Sequence, residues 1–452
     1  MNLPPGPNQP GLWQTLTLVA DPIAFFDRYQ RQYGATFTTR VLGPNSPPVV
    51  FVGEPDLVQG IFTAPLDTFA LGKVTHVFRP LTGPQSLIML DGAEHLRQRK
   101  LLMPPLHGDR LKTYGDLIVT ITQETLAKIP PGRPVELRPY LAEITLKIIL
   151  RVVFGLELGP RYEELNARIS RLLDDITQTV YSSFFFFPLL QQDWGPWSPW
   201  GHFLRQRAAI DRLVYAEIAE RRAGGQGGED ILSLLLAARD EAGEGLTDQE
   251  LRDQLMTLLL LGHETTASSL AWAIYWCYCE DERLAQLQAE VKGADPLTLA
   301  GLPDLNAVCQ ETLRIYPIAL ISQPRIVKTT YDLGAYQCDP GTILIPCIYL
   351  AHRLNTTYPN PLQFQPERFR DRKFTAFEYF PFGGGHRGCI GAAFSRFEMQ
   401  LILGTMLQQP GFTLHPQGPI QPQRRGITFV PKGGIWLERQ VEAISPKKPV
   451  LT

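Results

Sequence analysis

The chain has 452 residues, 44% of them hydrophobic and 19% charged, with a net charge of −2 from 43 basic and 45 acidic residues. That composition suits a globular protein with a large buried core, and it excludes a strongly basic nucleic-acid binder and an acidic tail. The six cysteines (Cys277, Cys279, Cys309, Cys338, Cys347 and Cys389) are too few and too irregularly spaced for a disulfide framework, which points to a reducing compartment.

In chain order, the proline-rich start predicts an extended arm over residues 1–12. It has no charged region followed by an apolar run, so no signal peptide is expected. No stretch reaches the ~18 apolar residues of a spanning helix, and a soluble, cytoplasmic protein is expected. A helix is predicted over Pro22–Tyr33, strands in FTTRV and PVVFV, a short helix over Glu54–Phe62 and an irregular segment from Thr63 to Leu90. Helical sequence dominates from Gly92 to Glu290. Within it, SSFFFFPLL (Ser182 to Leu190), followed by Trp194, Trp197 and Trp200, is unusually aromatic for a connection. Two readings stand: a buried loop, or the lip of a lipophilic entrance in transient contact with membranes. Thr247 and Glu250 form a capping box that opens a helix running to about Glu280, long enough to cross a domain. A helix follows over Leu305–Ile315, then β-rich sequence from Thr342 to Leu350, a proline-rich stretch to Pro381, a last helix over Ile390–Gln409, a β-rich end including ITFV, and a tail from about 441 to 452. With no repeat and no linker, one mainly α domain with a smaller β-rich region is expected over 1–452.

The most specific segment is PFGGGHRGCIG, Pro381 to Gly391. Gly383 to Gly385 lack Cβ atoms, so their amides are expected to approach a ligand closely. His386 and Arg387 bring positive charge, and Cys389 lies at a helix N-terminus; all three features favour a thiolate. Such a sulfur serves as a nucleophile, a zinc ligand or a haem ligand. Zinc needs further ligands at short spacing, and none is present. Haem needs one sulfur and flat clearance, which Gly391 supplies.

A second segment, LLLLGHETTASSLAW, places Gly262, Glu264, Thr265 and Thr266 in the long helix. One reading is a polar patch whose hydroxyls bond back to the helix. The chemical one is a proton relay, acid then alcohol, on a locally opened helix. His263 has no second histidine at i+4 and is not expected to bind metal. Glu311 and Arg314 stand three apart in ETLRIYP, and PERF (Pro366 to Phe369) follows. His95 and Arg99 share a helix face in EHLRQRK.

Together these segments resemble the cytochrome P450 family. PFGGGHRGCIG matches its haem loop, F-x-x-G-x-R-x-C-x-G, at Phe382, Gly385, Arg387, Cys389 and Gly391. GHETT resembles its oxygen-activating motif, with Leu261 where the pattern has a small residue. ETLR and PERF resemble its structural charge network of Glu311, Arg314 and Arg368. The resemblance implies the P450 fold, with haem b between the long helix and the cysteine loop. It implies Cys389 as the iron ligand, Phe382 near the sulfur, and Arg387, His95, Arg99 and Arg325 on the propionates. It further implies Thr265 beside dioxygen with Glu264 as its acid, and a thiolate that favours O–O cleavage. The implied activity is insertion of one atom of dioxygen into a lipophilic substrate, with a fatty acid, a terpenoid or a retinoid expected. A ferredoxin or flavodoxin-type donor would dock on a basic face of Arg97, Lys100, His386 and Arg396. Pocket walls are expected around Thr75 to Leu87, at Leu258 and Leu261, at Ile318 to Ile321 and at Ile427 to Phe429. A haem-thiolate isomerase or peroxygenase, and a non-catalytic lipophile-binding haem protein, are the alternatives. Dependence of turnover on an electron donor separates them.

Overall fold

The computed structural model describes residues 2–440, apart from 71, 157–158, 178–184, 186–189, 225–227, 417, 419 and 427. The expected tail, Ile427 of the expected pocket wall and most of the SSFFFFPLL run therefore lie outside the described residues.

Helices α1 (Gly11–Ala20), α2 (Pro22–Tyr33) and α3 (Pro55–Thr63) surround a five-stranded sheet. Its strands are β1 (Thr36–Thr39), β2 (Val49–Val52), β3 (Phe69–Ala70), β4 (Arg325–Val327) and β5 (Ile343–Pro346). The order is β1-β2-β5-β4-β3, with β2 and β5 parallel and the other pairs antiparallel. The arm expected over residues 1–12 ends earlier, because α1 begins at Gly11. The helical body comprises α4 (Gly92–Leu102), α5 (Gly115–Ala127), α6 (Arg138–Phe154), α7 (Pro160–Thr177), α8 (Pro199–Gly224), α9 (Asp248–Tyr278), α10 (Pro303–Ile315) and α11 (Ala392–Gln408). A hairpin of β6 (Pro422–Arg425) and β7 (Thr428–Pro431) packs its second strand on α9.

Helix α9 is the axis of the body. The Thr247 hydroxyl accepts the Glu250 amide and the Glu250 carboxylate accepts the Thr247 amide, so the capping box forms as the sequence predicts. At 31 residues it spans about 46 Å. Most of its side chains are buried, even Arg252, Asp253 and Gln254. Arg252 is paired with Asp211 and Asp253, and the Gln254 carbonyl accepts the Leu87 amide. Gly262 is small because α6 crosses there: a Cβ would stand 3.3 Å from Ile149 Cδ1.

A buried ionic brace ties α10 to the segment before the cysteine loop. Glu311 Oε2 accepts Arg314 Nε at 2.6 Å and Oε1 accepts its Nη2 at 2.8 Å, while Arg368 Nε reaches Oε1 at 3.2 Å. Glu311 and Arg314 are fully buried. Arg314 also donates to the carbonyls of His352 and Pro361, both at 2.8 Å. The His352 ring then accepts the Phe380 amide through Nε2 at 3.1 Å. Burial holds His352 well below its ordinary pKa, which keeps that nitrogen free of a proton and able to accept. The brace thus reaches the start of the cysteine loop through a residue that no motif marks.

Candidate active site

Cys389 sits at the end of a tight loop. Its amide donates to the Phe382 carbonyl at 2.8 Å, and the Gly388 amide to the Gly385 carbonyl at 3.1 Å. The three glycines have a structural use of their own. Gly383 and Gly385 take φ of +67° and +63°, and a Cβ on Gly384 or Gly385 would come within 2.4 Å of Phe62 in α3. Turn geometry and helix packing already require glycine there. Gly391 is different: a Cβ there would meet nothing within 4 Å, so the space beside the sulfur is open.

The electrostatics of Cys389 also differ from expectation. Cys389 is exposed on its open side, yet the protein packed around the loop desolvates the thiol and raises it, which outweighs the lowering by the Gly391 amide and by Arg99 and Arg396. His386 and Arg387 are not among the groups that lower it. The charge near the sulfur comes from another helix and from one turn into α11. Phe382 lies under the Arg396 guanidinium, 5.7 Å from ring centroid to Cζ.

The propionate-binding side chains expected from three separate segments do converge. His95 is pushed down to about 3, first by burial and then by Arg387, Arg99, His386 and Arg325. Arg325 and Arg387 are each pushed down to about 10, chiefly by burial. Arg387 pairs with the exposed Asp91, and Arg99 donates to the Gly388 carbonyl at 2.8 Å. His95 Nδ1 and Nη1 of Arg387 are buried without hydrogen-bond partners. Three guanidiniums and a histidine crowded around one carboxylate, with donors unused, call for further anionic oxygen atoms.

Between Glu250 and Ile274 on α9 the less buried positions are Leu258, Leu261, Gly262 and Thr265, at i, i+3, i+4 and i+7. They form one stripe on a stretch of helix that is otherwise buried. Thr265 Oγ1 donates to the Leu261 carbonyl at 2.9 Å and Thr266 Oγ1 to that of Gly262 at 3.0 Å. The helix runs on without a break, so the expected local opening is not seen; the hydroxyls bond back instead. Glu264 lies off the stripe. Its Oε1 is bound by Arg138 of α6 and, at 3.2 Å, by Arg425 of β6.

Sequence reading missed Glu398, on α11. It is fully buried, its pKa is raised by burial to about 8, and its one stabilising contact is the Thr266 hydroxyl. Its only signal was an acid within the apolar run FEMQLILG. At neutral pH it folds as the neutral acid, so its stabilisation is complete below the ordinary value of 4.5 and is lost as pH rises toward 8. Glu398→Gln should therefore gain stability over the parent by about 1.4 kcal/mol per pH unit across that window, read from denaturant midpoints. A difference independent of pH would refute it.

The proposed basic face is smaller than expected. Arg97 is paired with Asp240 at 2.6 Å and Glu250 at 2.9 Å, and Lys100 with Glu241. Arg396 and His386 stay exposed. His263 is buried, and no cluster of metal-ligating side chains occurs among the described residues.

The sequence profile of the family described as Cytochrome P450 matches residues 4–437. The provisionally named cytochrome P450 135B1 of Mycobacterium bovis is 31% identical, covering 96% of this chain and 90% of its own. The provisionally named cytochrome P450 135A1 of Mycobacterium tuberculosis is 33% identical, covering 96% and 94%. The chain belongs to the cytochrome P450 family. Among solved structures, a retinoic acid-bound cyanobacterial CYP120A1 superposes with a TM-score of 0.83 at 26% identity, covering 97% of this chain and 99% of that one. The P450 fold is thereby established, and with it a haem-thiolate protein that binds haem b and acts as a haem-dependent monooxygenase on dioxygen, a substrate and electrons from a partner. The residues fit that group: a lone sulfur, open space at Gly391, and cations whose donors await carboxylates. No helix among the described residues is long and apolar enough to cross a membrane.

Proposed function

We propose that this P450 oxygenates a lipophilic molecule (a fatty acid, a terpenoid or a retinoid), with electrons from a ferredoxin or flavodoxin-type donor. The α9 stripe carries the reading: the open face that bears Thr265 is otherwise Leu258, Leu261 and Gly262, with no charged side chain. The buried Ile318, Leu320 and Phe429 extend the apolar walls. The retinoic acid bound to the cyanobacterial neighbour supports the retinoid member of the set.

In this reading Cys389 would hold the iron, Phe382 and Gly391 would lie beside the group, and His95, Arg99, Arg325 and Arg387 would hold its carboxylates. Haem b, when bound, supplies the oxygen-activating chemistry, with thiolate ligation favouring O–O cleavage. The chain supplies orientation and protons. Thr265 gives its own proton to the Leu261 carbonyl, which leaves its oxygen available to accept a proton donor. For Glu264 to feed that hydroxyl, its carboxylate must leave Arg138 and Arg425, so proton delivery is gated by breaking those pairs. Of the expected basic face, exposed Arg396 and His386, at the cysteine loop, are left to steer an acidic donor.

Titrating fatty acids, terpenes and retinoids into the haem-loaded protein should give a saturable shift of the haem absorption with at least one class. Product should then form only with a reduced electron donor. No shift with any of the three sinks the substrate class, and turnover without donor electrons replaces the monooxygenase reading with the isomerase or peroxygenase one.

A further inference from the structure

Helix α1 is inside out for a protein surrounded by water. Its sequence is GLWQTLTLVA, and four of its apolar side chains face outward: Leu12 is 52% exposed, Trp13 55%, Leu16 53% and Val19 57%, while Leu18 packs against the core. The most deeply buried side chain is Gln14, 1% exposed. Its amide is fully used, donating to the Gln9 carbonyl at 2.7 Å and that of Pro7 at 3.3 Å, and accepting the Arg40 amide at 2.8 Å. The arrangement is therefore held in place. Rolling the helix to bury its leucines would leave those backbone groups unpaired. Leu42, 49% exposed, extends the patch, since the Thr15 hydroxyl holds the neighbouring Gly43 amide.

The fringe of this patch is cationic. Residues 1–20 contain no charged side chain. Arg40 starts beside α1, its own Cβ 3.4 Å from a Cβ placed on Gly11, and its exposed side chain carries one guanidinium nitrogen to the Ser46 carbonyl at 2.8 Å. Arg424 donates to the Val19 carbonyl at the other end, at 3.3 Å. Arg28 and Arg31 of α2, which packs on α1, are exposed. The carboxylate that follows, Asp21, is occupied in capping α2.

We propose that α1 is a docking helix for an anionic lipid surface, lying in the plane of the headgroups with Leu12, Trp13, Leu16 and Val19 immersed and the arginines on the phosphates. Ten residues are about 15 Å of helix, enough to lie in a bilayer surface and too short to cross one. A second copy of the chain is the poorer occupant. A two-fold contact through this patch would set the same arginines against each other. The inference is independent of the proposed substrate.

The haem-loaded full chain should co-sediment with mixed phosphatidylglycerol–phosphatidylcholine vesicles better than with pure phosphatidylcholine, and less so as salt is raised. Leu16→Asp should abolish this at unchanged haem content, and Arg424→Gln should weaken it about fivefold. Leu16 is exposed, so its replacement leaves the fold intact. Failure of the parent chain to pellet with the mixed vesicles overturns the proposal. So does undiminished binding by Leu16→Asp, or a parent dimer that Leu16→Asp dissolves.

Discussion

Cys389→Ser protein should fold, retain the Phe382 and Gly388 loop hydrogen bonds, and lose both turnover and the thiolate-type absorption of its reduced carbon monoxide adduct. The loop is set by backbone contacts that a serine keeps: the residue 389 amide to Phe382, and the Gly391 amide to the side-chain atom at 389. What changes is the ligand's charge. Burial already raises the Cys389 thiol. The more basic hydroxyl of serine would stay protonated there and offer the iron a neutral oxygen in place of an electron-rich sulfur. Loss of activity with intact far-ultraviolet circular dichroism and an unchanged melting temperature of the haem-free protein is the expected pattern. An unchanged thiolate-type spectrum would remove Cys389 from the iron.

The residues legible in the sequence are those whose chemistry is concentrated in a short span. Cys389 and its loop, Glu264–Thr265 and the Glu311–Arg314 pair each carry their partners within a turn or two of chain. Arg138 and Arg425, which bind the Glu264 carboxylate, come from 126 and 161 residues away. Nothing local to either announces the pairing. His352 is equally silent, since it acts through one carbonyl and one ring nitrogen on segments brought together only by folding.

Ambiguous positions share a cause: a local feature has more than one physical use. Three glycines admit a ligand, a left-handed turn or a close-packed helix, and here Phe62 and positive φ already require them. A lysine or arginine on a surface helix is free or paired according to carboxylates elsewhere, and Asp240, Glu241 and Glu250 take Arg97 and Lys100. Helix α1 escaped notice because its prolines precede it and its apolar face points outward, against the rule that periodicity faces a core.

Glu311→Gln should destabilise the fold by about 3–5 kcal/mol. One carboxylate receives four hydrogen-bond donors: Nε and Nη2 of Arg314, Nε of Arg368, and the Gln365 amide, with the Arg314 cation itself fully buried. An amide in its place turns an NH2 group toward a donor and strands two guanidinium charges. Replacing the pair with leucines should not rescue it, as such swaps do elsewhere, because Arg314 also satisfies the carbonyls of His352, Pro361 and Gln363. Since His352 in turn fixes the Phe380 amide at the head of the cysteine loop, the loss should appear first at the haem. In urea, the haem spectrum of Glu311→Gln should collapse at a lower midpoint than its helical circular dichroism, whereas the parent's two transitions coincide. Coincident transitions in the variant would show that the brace supports the whole fold evenly and gives the cysteine loop no separate hold.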